Sequence, residues 1–145
     1  MKTKDELIDW LRDAYAMEKA MELALKKQVD NQSLSMLVRE QAAVHLKETR
    51  HHAAAVAECL KRLGSETSTL KTAMAKGLEI MKGASTAFAG DHRVKDLLGM
   101  CATEHFEIAC YTALRAGAAR FGFSEIVETC NKIIKDEQRM ADWLE

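Results

Sequence analysis

The sequence contains no proline and only 7 glycines. Nothing in it interrupts a helix from within, and no proline-rich linker divides it. Aromatic residues make up 6% of the chain and β-branched residues are scarce, so a strand-rich fold lacks its usual material. No apolar run approaches the roughly 20 residues that span a bilayer. Neither sign of charge dominates. The formal net charge is -1, and there is no basic tail or Lys/Arg stripe of the kind that nonspecific nucleic-acid binding needs. The start, Met1-Lys2-Thr3-Lys4-Asp5-Glu6, has no apolar signal region behind its charges, which makes the cytoplasm the expected location. The cysteines Cys59, Cys101, Cys110 and Cys130 form no C-x-x-C pair, so neither a zinc ribbon nor a thioredoxin-type motif is present. Within helices they read as small buried apolar residues.

What is plentiful is Ala, Leu, Met, Glu and Lys, all strong helix formers. Over 145 residues they predict one all-α domain, residues 1–145, with a single sizeable core. Thr3-Lys4-Asp5-Glu6 matches the S/T-x-x-E capping box and opens a helix expected from Lys4 to Asp30. Asn31-Gln32-Ser33 is a polar break, with Ser33 as the expected N-cap of a second helix reaching Leu63. Gly64 suits the position just past that helix. A short helix is expected over Thr69 to Lys82, where Leu70, Met74, Leu78 and Met81 recur at helical spacing. Asp91 should cap a third long helix ending near Arg120. Ser124 should cap a fourth, ending near Leu144. The segment from Ser65 to Gly90 then serves as a crossover between the second and third long helices, the device that a parallel helix pair requires.

Reading each helix at 100° per residue locates its apolar stripe. The first carries Leu7, Leu11, Ala14, Met21, Leu25 and Val29, with Glu18 in the middle. The second carries Leu34, Val38, Ala55, Val56, Cys59 and Leu63. Gln41, His45, Glu48 and His52 fall inside it, and His51 lies at its edge. The third carries Val94, Leu97, Cys101, Ile108 and Tyr111, with Glu104 central and Glu107 flanking. The fourth carries Ile126, Cys130, Ile133, Ile134, Ala141 and Leu144, with Glu137 central. Each long helix thus places a glutamate in its apolar stripe. A buried carboxylate without a partner is costly, and the same conflict on four helices argues for a shared partner. Arg115 is the one basic residue near the stripe of its own helix, so a cluster of cations resolves the conflict more simply. Glu18 and Glu48 lie 30 residues apart, as do Glu107 and Glu137, which hints at two helical hairpins of similar build. Either Glu104 or Glu107 can be the counterpart on the third helix.

Carboxylates with imidazole suit iron or manganese, and zinc is compatible. Dinuclear sites in helical bundles take a Glu from each of two helices and Glu-x-x-His from each of the other two. Glu48-Thr49-Arg50-His51 fits that pattern, with His45 and His52 nearer the stripe centre. The fourth helix offers Glu137-Gln138-Arg139-Met140 and lacks the second histidine. Glu104-His105-Phe106-Glu107 compensates with two carboxylates one turn apart. The candidate metal ligands are therefore Glu18, His45, Glu48, His51, His52, Glu104, Glu107 and Glu137. His51 and His52 cannot both point inward. His105 reads as solvent-facing or as a support to a ligand; Asp13, Asp136 and His92 read as ordinary polar groups. Trp10 and Trp143 lie beside their stripes and suit a helix or subunit contact.

Asp9-Trp10-Leu11-Arg12-Asp13-Ala14-Tyr15-Ala16-Met17-Glu18-Lys19 resembles the start of the YciE/YciF-type family, a stress-associated branch of the ferritin-like superfamily. His45-Leu46-Lys47-Glu48-Thr49, Phe106-Glu107-Ile108-Ala109-Cys110-Tyr111-Thr112 and Met140-Ala141-Asp142-Trp143-Leu144 resemble its later helices. The resemblance implies a ferritin-like up-down four-helix bundle, a homodimer, and a carboxylate-rich metal site at Glu18, His45, Glu48, His52, Glu104, Glu107 and Glu137. Together these readings predict a centre of two or more iron ions that reacts with oxygen or peroxide, with Tyr111 as a hydrogen-bond donor or redox-active neighbour. The alternative is a metal-binding or purely structural stress-response protein without turnover. A 24-subunit ferritin cage, which uses a fifth helix, and a complete rubrerythrin, which carries cysteine knuckles, are not expected.

Overall fold

The computed structural model describes residues 1–67 and 92–145. Four long helices make up nearly all of them: α1 (Lys4–Asp30), α2 (Met36–Arg62), α3 (His92–Arg120) and α4 (Ser124–Leu144). No strand occurs among the described residues. The short helix expected over Thr69 to Lys82, and the Asp91 cap, lie outside them.

The helix ends follow local chemistry. At α1 the capping box is complete: Thr3 accepts from the Glu6 backbone N–H and Glu6 accepts in return from the Thr3 N–H. The cap of α2 is Ser35 rather than Ser33, its Oγ accepting from the Val38 N–H at 3.3 Å. Ser33 instead donates its N–H and its hydroxyl to Asn31 Oδ1, a local turn that competes with capping. At α4 the N-cap position falls to Phe123, without a side-chain cap, and Ser124 is the first helical residue. Gly64 and Gly122 both adopt left-handed backbone, at φ 74° and 76°. After α2 the Ser65 N–H reaches the Leu60 carbonyl, and after α3 the Phe123 N–H reaches the Ala118 carbonyl. These are the bonds of a Schellman stop, which glycine permits without steric cost.

α1 packs along α2 and α3 along α4, and the two hairpins join through α1 against α3 and α2 against α4. One core cluster gathers Leu7 and Leu11 of α1, Val56 and Leu60 of α2, Leu114 and Ala118 of α3, and Ile126 and Cys130 of α4. At this end of the bundle α1 and α4 begin, while α2 and α3 finish. Met1 lying over Gly117 marks the same end. Helices α2 and α3 are therefore parallel; the segment expected to cross between them lies almost wholly outside the described residues. A smaller cluster, Leu25 with Ala42 and Leu46, closes α1 on α2 toward the other end. Among the described residues, no helix is long and apolar enough to cross a membrane.

The buried face of α3 differs from the stripe expected for it. Val94 is 53% exposed, and the inward residues are Met100, Glu104, Glu107, Tyr111, Leu114 and Ala118, an alternation of four and three that defines one helical face. Apolar residues occur around the whole of α3, with Leu98 and Phe106 also exposed, so hydropathy alone points at no single face. Trp10 and Trp143 are both exposed at the bundle surface.

The stop after α3 gives a direct test. A side chain at residue 122 meets nothing within 4 Å, so Gly122→Ala carries only the backbone cost of the left-handed region, about 1–2 kcal/mol. Thermal unfolding should show the midpoint reduced by at least ~2 °C. An unchanged midpoint would contradict the assignment.

Candidate metal centre

Between the two clusters the core turns polar. Glu18, His45, His52, Glu104, Glu107 and Glu137 are each 0–1% exposed. They come from all four helices, because each occupies the inward register of its own: His45 and His52, for example, are seven residues apart, two turns along one face.

The side chains form two adjoining sets. His45, Glu104, Glu107 and Glu137 converge in one, and Glu18, His52 and Glu137 in the other, with the donor atoms of each set within 4.8 Å of one another. Glu137 belongs to both. Its Oε2 lies 3.1 Å from His45 Nε2 and its Oε1 lies 2.9 Å from His52 Nδ1. Glu104 Oε2 stands 3.2 Å from His45 Nε2, and Glu18 Oε1 stands 3.7 Å from His52 Nδ1. These atoms are close but not aligned as hydrogen bonds. Glu18 Oε2, His45 Nε2, His52 Nδ1, Glu104 Oε2, Glu107 Oε1 and both oxygens of Glu137 are buried without a hydrogen-bond partner. Buried polar atoms are rarely left so. Here the donor atoms of each set gather within 4.8 Å of one another, close enough to share a cation. The donor set of carboxylate and imidazole fits iron, manganese or zinc.

The far nitrogen of each histidine is fixed from outside. His45 Nδ1–H donates to Glu48 Oε2 at 2.9 Å, and His52 Nε2–H donates to Asp136 Oδ2 at 2.9 Å. Arg139 Nη2 then donates to both outer carboxylates, Glu48 Oε1 and Asp136 Oδ1, each at 2.6 Å. One guanidinium thus ties the two imidazole supports together. Such partners set the tautomer and raise ligand basicity. Tyr111, fully buried, donates its hydroxyl to Glu18 Oε1 at 2.5 Å.

Two candidate ligands of the sequence reading fall elsewhere. His51 is exposed, since one residue turns it 100° away from His52, so Glu48-x-x-His51 does not assemble as a ligand pair. Glu48 is 24% exposed and contacts the outer side of His45. The 30-residue spacing that likens Glu48 to Glu137 holds in sequence but not in role, because the histidines take the inward places on α2. Asp136 and Arg139 were not legible as site residues. The signal for Asp136 was indirect: a buried histidine needs a partner for its second nitrogen. Arg115, the basic residue nearest an apolar stripe, donates to Asn131 instead.

The electrostatics follow from burial. Desolvation, then the neighbouring Glu137, raises the Glu18 carboxyl to about 8. Desolvation and Glu137 also raise Glu104 to about 8, against the pull of His45. Glu107 is pushed well above the carboxylate range by burial and then by Glu137, Glu18 and Glu104. Glu137 is the exception: burial would raise it, but His45 and His52 together hold it below the usual range. Burial would lower both histidines, yet Glu104 and Glu137 raise His45 to about 11, and Glu137 and Glu18 raise His52 to about 9. In the metal-free protein, protons therefore occupy the positions that cations would take.

Residues 2–145 match the family model described as "Domain of unknown function (DUF892)". The chain belongs to this family. A protein of Xanthomonas campestris pv. campestris is 28% identical, the match covering 99% of this chain and 88% of that one, with a TM-score of 0.81. YcfI from Rhodopseudomonas palustris is 24% identical over 99% of this chain and 93% of its own, with a TM-score of 0.79. The E. coli stress protein YciF is 23% identical over the same shares, also with a TM-score of 0.79. Family membership and these folds agree with the YciE/YciF-type resemblance and with a ferritin-like four-helix bundle. The DUF892 signature spans the helices that carry every residue of the polar centre.

Two measurements follow. Glu18, Glu104, His45 and His52 all have raised folded-state values, so the stability they contribute is full below their ordinary values and is lost as pH rises through the folded ones. The midpoint of metal-free protein should fall between about pH 5 and pH 9 by at least ~4 °C, and divalent metal should reverse the fall. A flat profile would count against the buried proton cluster. Secondly, Arg139→Met frees both outer carboxylates, and metal affinity by calorimetry should weaken roughly 10-fold or more.

Proposed function

We propose that this DUF892 protein holds two metal ions side by side, iron foremost, and that it oxidises Fe(II) with oxygen or peroxide. The observation that carries the reading is Glu137, a buried carboxylate whose two oxygens face two different histidines and belong to two donor sets. A carboxylate so placed would supply one donor to each of two cations. His45, Glu104 and Glu107 would complete one position, and Glu18 and His52 the other. The four inner glutamates carry four negative charges when ionised, which two divalent cations balance. The pair of irons supplies the redox chemistry toward oxygen or peroxide. The chain's own contribution is to exclude water, to present basic imidazoles braced by Glu48 and Asp136, and to hold Glu18 through the Tyr111 hydroxyl.

The donor set at Glu18 and His52 has three residues against four in the other, so a cation there would have fewer protein ligands. A second reading, metal binding without turnover, has its own support: every inner donor is almost fully buried, and a site so closed slows access. A homodimer in the cytoplasm belongs to the same family-based reading. Trp10 and Phe106 flank an apolar hollow of about 410 Å³ between α1 and α3, a surface suited to such a contact.

Anaerobic titration should load about two Fe(II) per chain. On admitting air, near-ultraviolet absorbance should rise at least ~10-fold faster than with a Glu18→Ala, Glu137→Ala double variant. Equal rates with full loading would leave binding without turnover. Freshly purified protein without metal, together with no Fe(II) uptake, would rule out both readings.

A further inference from the structure

A second group of metal-ligating side chains lies outside the core centre. Cys101 and His105 are one turn apart on α3, and Glu145 follows the end of α4. Their donor atoms lie within 4.8 Å of one another. His105 Nε2 stands 3.0 Å from Glu145 Oε1. We propose that Cys101, His105 and Glu145 form a solvent-accessible site for a borderline-soft divalent cation of the zinc class, separate from the buried carboxylate centre and independent of its function.

The chemistry selects the cation. Thiolate, imidazole and carboxylate are the three donor types that zinc accepts, and three protein ligands leave a fourth tetrahedral position for water. Two ligands at zinc–nitrogen and zinc–oxygen distances of about 2.0–2.1 Å sit roughly 3.3 Å apart at the tetrahedral angle. The observed 3.0 Å between His105 and Glu145 is close to that spacing, so little movement is needed. Cys101 and His105, four residues apart, project from one face of α3. His105 and Glu145 are half exposed or more, at 50% and 59%, so metal enters and leaves from solvent. A cation here would pin the end of α4 to α3, at two residues that flank Glu104 of the core centre in sequence.

Sulfur separates this site from the core, whose inner donors are oxygen and nitrogen only. Cobalt(II) added to the full-length, reduced protein should give a thiolate-to-cobalt charge-transfer band in the near ultraviolet, and zinc should displace it. Cys101→Ser should abolish the band. His105→Ala and Glu145→Gln should each weaken cobalt binding, read from the same band, by at least roughly 10-fold. Circular dichroism should show the variants folded, as expected for changes at partly exposed positions. No charge-transfer band in the unaltered protein would overturn the proposal. So would a band that survives Cys101→Ser, or one indifferent to both other changes, which would assign the metal to another cysteine or to the thiol alone.

Discussion

The organising constraint of this protein is the repulsion among carboxyl groups enclosed in a dry core. Glu18, Glu104, Glu107 and Glu137 sit where each helix should be apolar, and no lysine or arginine among the described residues pairs with them. Without cations, protons must do the work: most of these carboxyls are driven upward, and both histidines hold their protons tightly. Glu137 alone is held ionised, because it lies between two imidazoles. It is also the group common to both donor sets, so the electrostatic centre and the geometric centre coincide.

The surrounding structure supports that centre from both directions. Along the bundle axis, apolar clusters seal it at either side, with Leu7, Val56, Leu114 and Ile133 in one and Leu25 and Leu46 in the other. Sealing removes water, which strengthens every charge interaction inside. Across the axis, Glu48 and Asp136 brace the outer nitrogens of His45 and His52, and Arg139 joins the braces. The arginine is itself exposed. From the bundle surface it keeps the two carboxylates from repelling one another, without itself entering either donor set. The parallel course of α2 and α3 matters here too. It brings His45 of α2 into one donor set with Glu104 and Glu107 of α3.

Much of this was legible along the chain. The helices announced themselves through composition, the Thr3 capping box and the glycines at 64 and 122. Glu18, Glu104, Glu107 and Glu137 stood out because each broke an apolar pattern, and His45 and His52 did so on α2. On α3 apolar residues surround the helix, so the pattern singles out no face, and Val94, which continues the apolar spacing, lies exposed. Asp136 and Arg139 broke no pattern, being polar residues on a polar edge, and their roles exist only through contacts across the bundle.

The sequence by itself determined that there would be long helices, roughly where they begin and end, and that ionisable side chains would be buried on all four, glutamates on α1, α3 and α4 and histidines on α2. These are consequences of local propensity and of a 3.6-residue period, both of which act over neighbouring residues. Only the tertiary structure decided which histidine turns inward, which carboxylate is shared, and which polar groups brace the imidazoles. Those outcomes depend on the rotation and height of one helix against another. A rotation of 100° exchanges His51 for His52, and no residue-by-residue property records the angle at which two helices pack.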